Sequence, residues 1–125
     1  MTDANGTNTA GEPDGIGRAT SDCGDLVELD VWTSGKNVVR AAFRVEGCSN
    51  TLAAAAAAAA LAPGRSFGEV LALQPGDILD RIAGLPEGAR HVADLAVAAL
   101  HAAVLDAIRN EAEPWKRVYR SRTPT

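Results

Sequence analysis

No stretch of this sequence is apolar for long enough to cross a bilayer as a helix. The longest run, Leu52 to Pro63, falls well short of the ~20 residues required. Basic charge is not in excess either: the net charge is −4, which argues against wholesale nucleic-acid binding. Residues 1–15, MTDANGTNTAGEPDG, are polar and contain no apolar core of a secretory signal, so a cytoplasmic protein with a mobile N-terminal arm is expected. Cysteine is scarce, with Cys23 and Cys48 alone. In the cytoplasm a disulfide between them is not expected to persist, and metal-binding or reactive roles gain weight.

Large apolar side chains are also few. The apolar share is 46%, but 25 of the 125 residues are alanine, which buries little surface. Core mass must come from Leu, Val, Ile, Phe and Trp, and backbones are expected to pack closely. A chain of this length makes one domain with a modest core.

From Leu26 to Glu46 the pattern has a period of two. Val27, Leu29 and Val31 alternate with Glu28, Asp30 and Trp32; after the turn signal TSGKN, Val39, Ala41, Phe43 and Val45 alternate with Arg40, Ala42, Arg44 and Glu46. This reads as an antiparallel hairpin with one buried face, on which Val27, Leu29, Val31, Val39, Phe43 and Val45 are expected. GIGRAT, residues 15–20, can add a short edge strand. The period then changes. Ser49 or Asn50 can cap a helix through eight consecutive alanines, stopped by Pro63-Gly64. Ser66 and Glu69 form a capping-box pattern, and GDILDRIAGLP suggests a further short helix. The longest helix is expected from about Gly88 to Glu111, with Val92, Leu95, Ala96, Ala99, Ala103 and Ile108 as its apolar stripe. Strands first and helices after predict an α+β domain: a small antiparallel sheet of two or three strands packed against several helices. The parts are an arm (1–14), the domain (15–112) and a basic tail (113–125), the last a solvated terminus or a docking segment.

In an extended segment, residues i and i+2 point the same way, so Cys23 and Asp25 can present sulfur and oxygen to one ion. Cys48 follows the second strand and precedes a helix N-terminus, which favours thiolate. In a hairpin the start of the first strand and the end of the second are neighbours, so the two lips meet. His91, at the first turn of the long helix, is the better fourth donor; His101 lies three turns deeper. Two thiols, a carboxylate and an imidazole suit zinc or iron–sulfur chemistry. The alternative is two buried thiols and a surface histidine.

CGD at 23–25, a hairpin, GC at 47–48 before a helix, and LPEGARHVADLAVAAL at 85–100 follow one another in an order that resembles the IscU/NifU N-terminal iron–sulfur cluster scaffold family. The similarity spans about residues 15–112 and implies a SufE/NifU-like fold. It also implies a binding protein and not an enzyme: a scaffold or carrier for a transient iron–sulfur cluster, or for Zn²⁺ or Fe²⁺, held by Cys23, Asp25, Cys48 and His91. A cysteine desulfurase and apo iron–sulfur proteins would be its partners, without nucleic acid or membrane. Two departures stand out. Val92 occupies the position of the family's third cysteine, an important sulfur acceptor. LPEGA replaces the chaperone-recognition LPPVK of the IscU branch. A degenerate module that binds metal or partner without assembling clusters, and regulates a desulfurase, is the alternative. A thiol enzyme built on Cys48 has no visible base beside it.

Overall fold

The computed structural model describes residues 11–82, 84–85 and 89–112. Three strands, β1 (Gly15–Thr20), β2 (Leu26–Ser34) and β3 (Asn37–Glu46), form an antiparallel sheet in the order β1-β2-β3. Four helices follow: α1 (Ser49–Leu61), α2 (Phe67–Leu71), α3 (Pro75–Asp80) and α4 (His91–Ala112). The α+β arrangement expected from the strand-then-helix order is present, with the edge strand at 15–20 included.

Val27, Leu29 and Val31 of β2 are fully buried. Opposite them stand Ala19, Gly17 and Gly15 on β1 and Val45, Phe43 and Ala41 on β3. Helix α4 lies across β1 and β2, while α1 runs over β3 and touches α4. Backbones approach closely where α4 meets β1. A Cβ placed on Gly17 would stand 2.2 Å from the carbonyl oxygen of Ala99 and from the amide of Ala103; one on Gly15 would stand 2.1 Å from the carbonyl of Ala103. The missing side chains are therefore what lets the helix touch the strand. Asp106 on α4 then accepts the Ile16 N–H (2.9 Å), and Asn110 donates to the Asp14 carbonyl (2.9 Å), fixing the helix against the strand edge. Helix α4 is long and apolar enough to span a bilayer by length and composition, which the reading of the Leu52–Pro63 run alone did not register, but more than half of that stretch is buried within the domain.

Three burial expectations are corrected. The strict period of two fails in β3 because the register shifts at Trp32/Thr33: Trp32 pairs with Arg40 and Thr33 with Val38. The extra residue of this bulge is Val39, which is 54% exposed, while Val38 turns inward and is fully buried. Phe43 shares the face of Leu29 but sits on the outer strand and stays 39% exposed. On α4, Ile108 is outside, and Leu100, Val104 and Ala107 complete the buried stripe that Val92, Leu95, Ala96, Ala99 and Ala103 begin.

At α2 the capping box forms as expected. Ser66 Oγ accepts the Glu69 N–H (3.2 Å), and Glu69 Oε1 accepts the Ser66 N–H (2.8 Å). The cap of α1 is Cys48, in extended conformation, not Ser49 or Asn50. Residues 11–14, assigned to the arm in the sequence reading, run along β2. Asp14 N–H donates to the Val31 carbonyl (2.8 Å), the Thr33 N–H donates to the Asp14 carboxylate (2.7 Å), and Trp32 Nε1 donates to the Gly11 carbonyl (3.2 Å). The rest of the arm, the basic tail, and Pro86, Glu87 and Gly88 of LPEGA lie outside the described residues.

The sheet face away from the helices is charged. Glu28 is only 5% exposed, held by Arg18 Nε (2.8 Å) and Arg44 Nη2 (3.5 Å). Burial, and then the neighbouring Glu28, push the Asp30 carboxyl up to about 6. Its Oδ1 is buried without a hydrogen-bond partner among the described residues. Arg40 stacks over the Trp32 ring at 4.9 Å.

Candidate functional site

The first lip is the turn between β1 and β2, Ser21 to Asp25. Gly24, with φ +90°, takes the left-handed conformation that lets the chain reverse between Cys23 and Asp25. Ser21 closes the loop: its Oγ accepts the N–H of Cys23 and that of Asp25, both at 3.2 Å, and donates to Asp25 Oδ2 (3.1 Å). The second lip is the passage from β3 into α1. Gly47 has no room for a side chain, since a Cβ there would come within 2.6 Å of Asp25 Oδ1 and 3.0 Å of Thr51 Oγ1. Leu26 pairs with Glu46, which places the two lips side by side.

Asp25 and Cys48 meet through Thr51. The Thr51 hydroxyl donates to Asp25 Oδ1 (3.3 Å) and lies 3.6 Å from Cys48 Sγ. Thr51 is fully buried, one turn into α1 from the Cys48 cap. Contact with its side chain, followed by the backbone N–H groups of Thr51 and Asn50, lowers the Cys48 thiol from its ordinary value, against burial and the Asp25 charge. The direction is the one expected beside a helix N-terminus. From the other side, His91 opens α4 and brings Nε2 to 3.8 Å from Asp25 Oδ2. Cys23 and His91 line one open cleft of about 500 Å³ with Asp22, Asp94 and Leu95. Both cysteines are free and exposed.

The four residues singled out in the sequence, Cys23, Asp25, Cys48 and His91, therefore stand around one end of the sheet. Asp25 is central, in contact with the Cys48–Thr51 pair and with His91, while Cys23 shares a cleft with His91. Their donor types fit zinc or iron. Among the described residues, however, no three His, Cys, Asp or Glu side chains already stand in a metal-holding arrangement. His101 is apart from this group, with its Nε2 buried and without a partner. Sequence reasoning missed Ser21 and Thr51. A signal for each was available: Thr51 lies three residues past the helix cap, and Ser21 precedes a Cys-Gly-Asp turn that needs a side-chain acceptor.

Residues 4–113 match the family model described as NifU-like N terminal domain. The chain belongs to this family. Among curated relatives, the bifunctional protein NifU/MnmA of Rubrobacter xylanophilus is 38% identical over 99 residues, covering 77% of this chain and 20% of the relative. The iron–sulfur cluster assembly scaffold protein IscU 1 of Archaeoglobus fulgidus is 28% identical, covering 86% of this chain and 65% of its own length. This NifU-like chain thus spans a fifth of the first and just under two thirds of the second. A crystal structure of the N-terminal part of a NifU-like protein from Brucella abortus superposes with a TM-score of 0.53 at 25% identity, over 82% of this chain and 81% of that one. The fold class expected from the resemblance is the one found.

Val92, which the resemblance sets at the place of the family's third cysteine, is 1% exposed and belongs to the core, as its place in the apolar stripe predicts. The side chain at this position is shielded from solvent.

Proposed function

We propose that this NifU-like domain is an iron–sulfur cluster scaffold or carrier in the cytoplasm, a binding protein and not an enzyme. The cluster or its iron is transient cargo, held by Cys23, Asp25, Cys48 and His91. One observation carries this reading: Asp25 touches both the Cys48–Thr51 pair and His91, so a carboxylate, a sulfur and an imidazole from three different elements share one end of the sheet. Two thiolates and a carboxylate around a divalent ion leave a formal charge of −1, and an accepting apo-protein can take the cargo by exchanging its own thiolates for these. Anaerobic incubation with ferrous iron and sulfide tests the proposal. Visible absorbance and its passage to an apo iron–sulfur protein are expected; a colourless protein would overturn it.

The absence of a third cysteine favours a second reading. Sulfur transfer needs an accessible nucleophilic thiol, and Val92 supplies neither access nor sulfur. A module that binds a cysteine desulfurase without assembling clusters fits that change. Inhibition or activation of a desulfurase by the colourless protein would identify it.

A further inference from the structure

We propose that Ser21 and Thr51 are positioning residues, a pair of hydroxyls that set the Asp25 carboxylate, one from each lip of the site. This rests on the reading above that Asp25 and Cys48 are donors to the cargo. The argument begins with the hydrogen-bond inventory. A serine hydroxyl has two acceptor sites and one proton. In Ser21 the acceptor sites are taken by the N–H groups of Cys23 and Asp25, so its one proton is directed to Asp25 Oδ2 at 3.1 Å. Thr51, fully buried, sends its proton to Asp25 Oδ1 at 3.3 Å and turns its remaining oxygen surface to Cys48 Sγ at 3.6 Å. Each carboxylate oxygen therefore has one fixed partner.

An ionised carboxylate offers about four acceptor sites, so two hydroxyls leave room for an ion. They also remove the rotation that would otherwise have to be frozen on binding. The Asp25 side chain is only 14% exposed, and Gly47 closes on it from above, so water has little space to replace a lost hydroxyl. Partners of this kind behind a metal ligand orient it, and their loss weakens binding. In the metal-free protein the Thr51 oxygen, with its proton given to Asp25, can also accept the Cys48 thiol S–H, so one hydroxyl spans the sulfur and the carboxylate.

The test uses Zn²⁺ alone as probe, its affinity measured by chelator competition for the full chain, with Co²⁺ as the spectroscopic reporter of thiolate ligation. The variants are Thr51→Val, Thr51→Ser, Ser21→Ala and, as controls, Asp25→Ala and Cys48→Ala. Thr51→Val and Ser21→Ala are each expected to weaken Zn²⁺ by about 10- to 100-fold. Thr51→Ser should bind like the parent, and Thr51→Val should alter the thiolate-to-Co²⁺ band that Ser21→Ala leaves in place. Melting curves check that each variant folds; Ser21 lies in a surface turn, so its arm stands even where Thr51→Val does not fold. Parent-like affinity in Ser21→Ala and Thr51→Val would overturn the proposal. So would a Thr51→Ser protein as weak as Thr51→Val, because the effect would then be steric. If the two controls keep full Zn²⁺ affinity, the donor assignment itself is wrong, a result distinct from failure of the hydroxyls alone.

Discussion

Gly17→Ala adds one methyl group where α4 lies directly against β1. The new Cβ would meet the Ala99 carbonyl oxygen and the Ala103 amide at 2.2 Å, and the Ala102 carbonyl carbon at 2.8 Å. All three are backbone atoms of α4, so no side chain can swing aside. Ordinary contact needs 3.4 Å or more, so helix and strand must part by more than ~1 Å. That separation is transmitted to Ala99, Leu100, Ala103 and Val104, all fully buried, and stretches the Ile16–Asp106 bond. Overpacking of this kind costs ~1–3 kcal/mol, and rigid backbone on both sides places this case at the upper end. For a domain of this size ~3 kcal/mol lowers Tm by roughly 12–24 °C. Gly68→Ala is the matched control. It lies in α2 with nothing within 4 Å of the new Cβ, so the same chemical change should stabilise by ~0.5–1 kcal/mol. Thermal unfolding of both metal-free proteins by circular dichroism reads the difference. Gly17→Ala melting within ~2 °C of the parent would refute the direct helix–strand contact, since even ~1 kcal/mol would show as a larger shift.

Asp30 titrates near 6 in the folded protein, above the ordinary carboxylate value, so the native state binds more protons than the unfolded chain between those two values. Its contribution therefore makes stability rise as pH falls from ~7 towards ~4, and Asp30→Asn should stabilise at pH 7 by about 1 kcal/mol, a discounted figure for a part-exposed group, while flattening that slope; urea midpoints across pH check it, and an unchanged slope would disprove the assignment. In Cys23→Ala, alkylation of Cys48 should reach half its maximal rate at a lower pH than in the same protein unfolded in denaturant. A midpoint equal to that of the unfolded protein would contradict the lowered thiol. Val92→Cys should add a thiol that alkylating reagents reach poorly in the folded state, and it should gain little persulfide from a desulfurase and cysteine, as read by mass spectrometry. Efficient labelling at position 92 would show that the start of α4 opens.

Much of this architecture was legible because local chemistry and tertiary packing agree. The alternation in β2 survives intact, since Val27, Leu29 and Val31 lie on the central strand with cover on one face. The alternation in β3 misled only at its start, where the inserted Val39 bulges out and Val38 takes the inward place, while Ala41, Phe43 and Val45 keep the expected face; nothing in the local composition announces a bulge. Close packing was anticipated for the alanine helix, whose Ala54, Ala55 and Ala58 are fully buried, but the contact of α4 on Gly15 and Gly17 was not. A pattern of small residues tells that backbones can meet, not which pair does. At the site, donor types, the neighbouring lips of the hairpin and the family resemblance named Cys23, Asp25, Cys48 and His91, and the structure brings Asp25 to His91 and, through Thr51, to Cys48. Ser21 and Thr51 escaped notice because hydroxyls are common, and their role depends on where a carboxylate from another element arrives. Position 92 was legible as part of the apolar stripe, and it is buried.

The central claim is that two cysteines, an aspartate and a histidine jointly hold the cargo at one end of the sheet. Iron and acid-labile sulfide per chain after anaerobic reconstitution measure it directly, for the parent and for Cys23→Ala, Asp25→Ala, Cys48→Ala and His91→Ala. The parent is expected to retain both elements through gel filtration, the two cysteine variants to lose them, and the Asp25 and His91 variants to retain less than the parent. Full, parent-like iron and sulfide in both Cys23→Ala and Cys48→Ala would contradict the account.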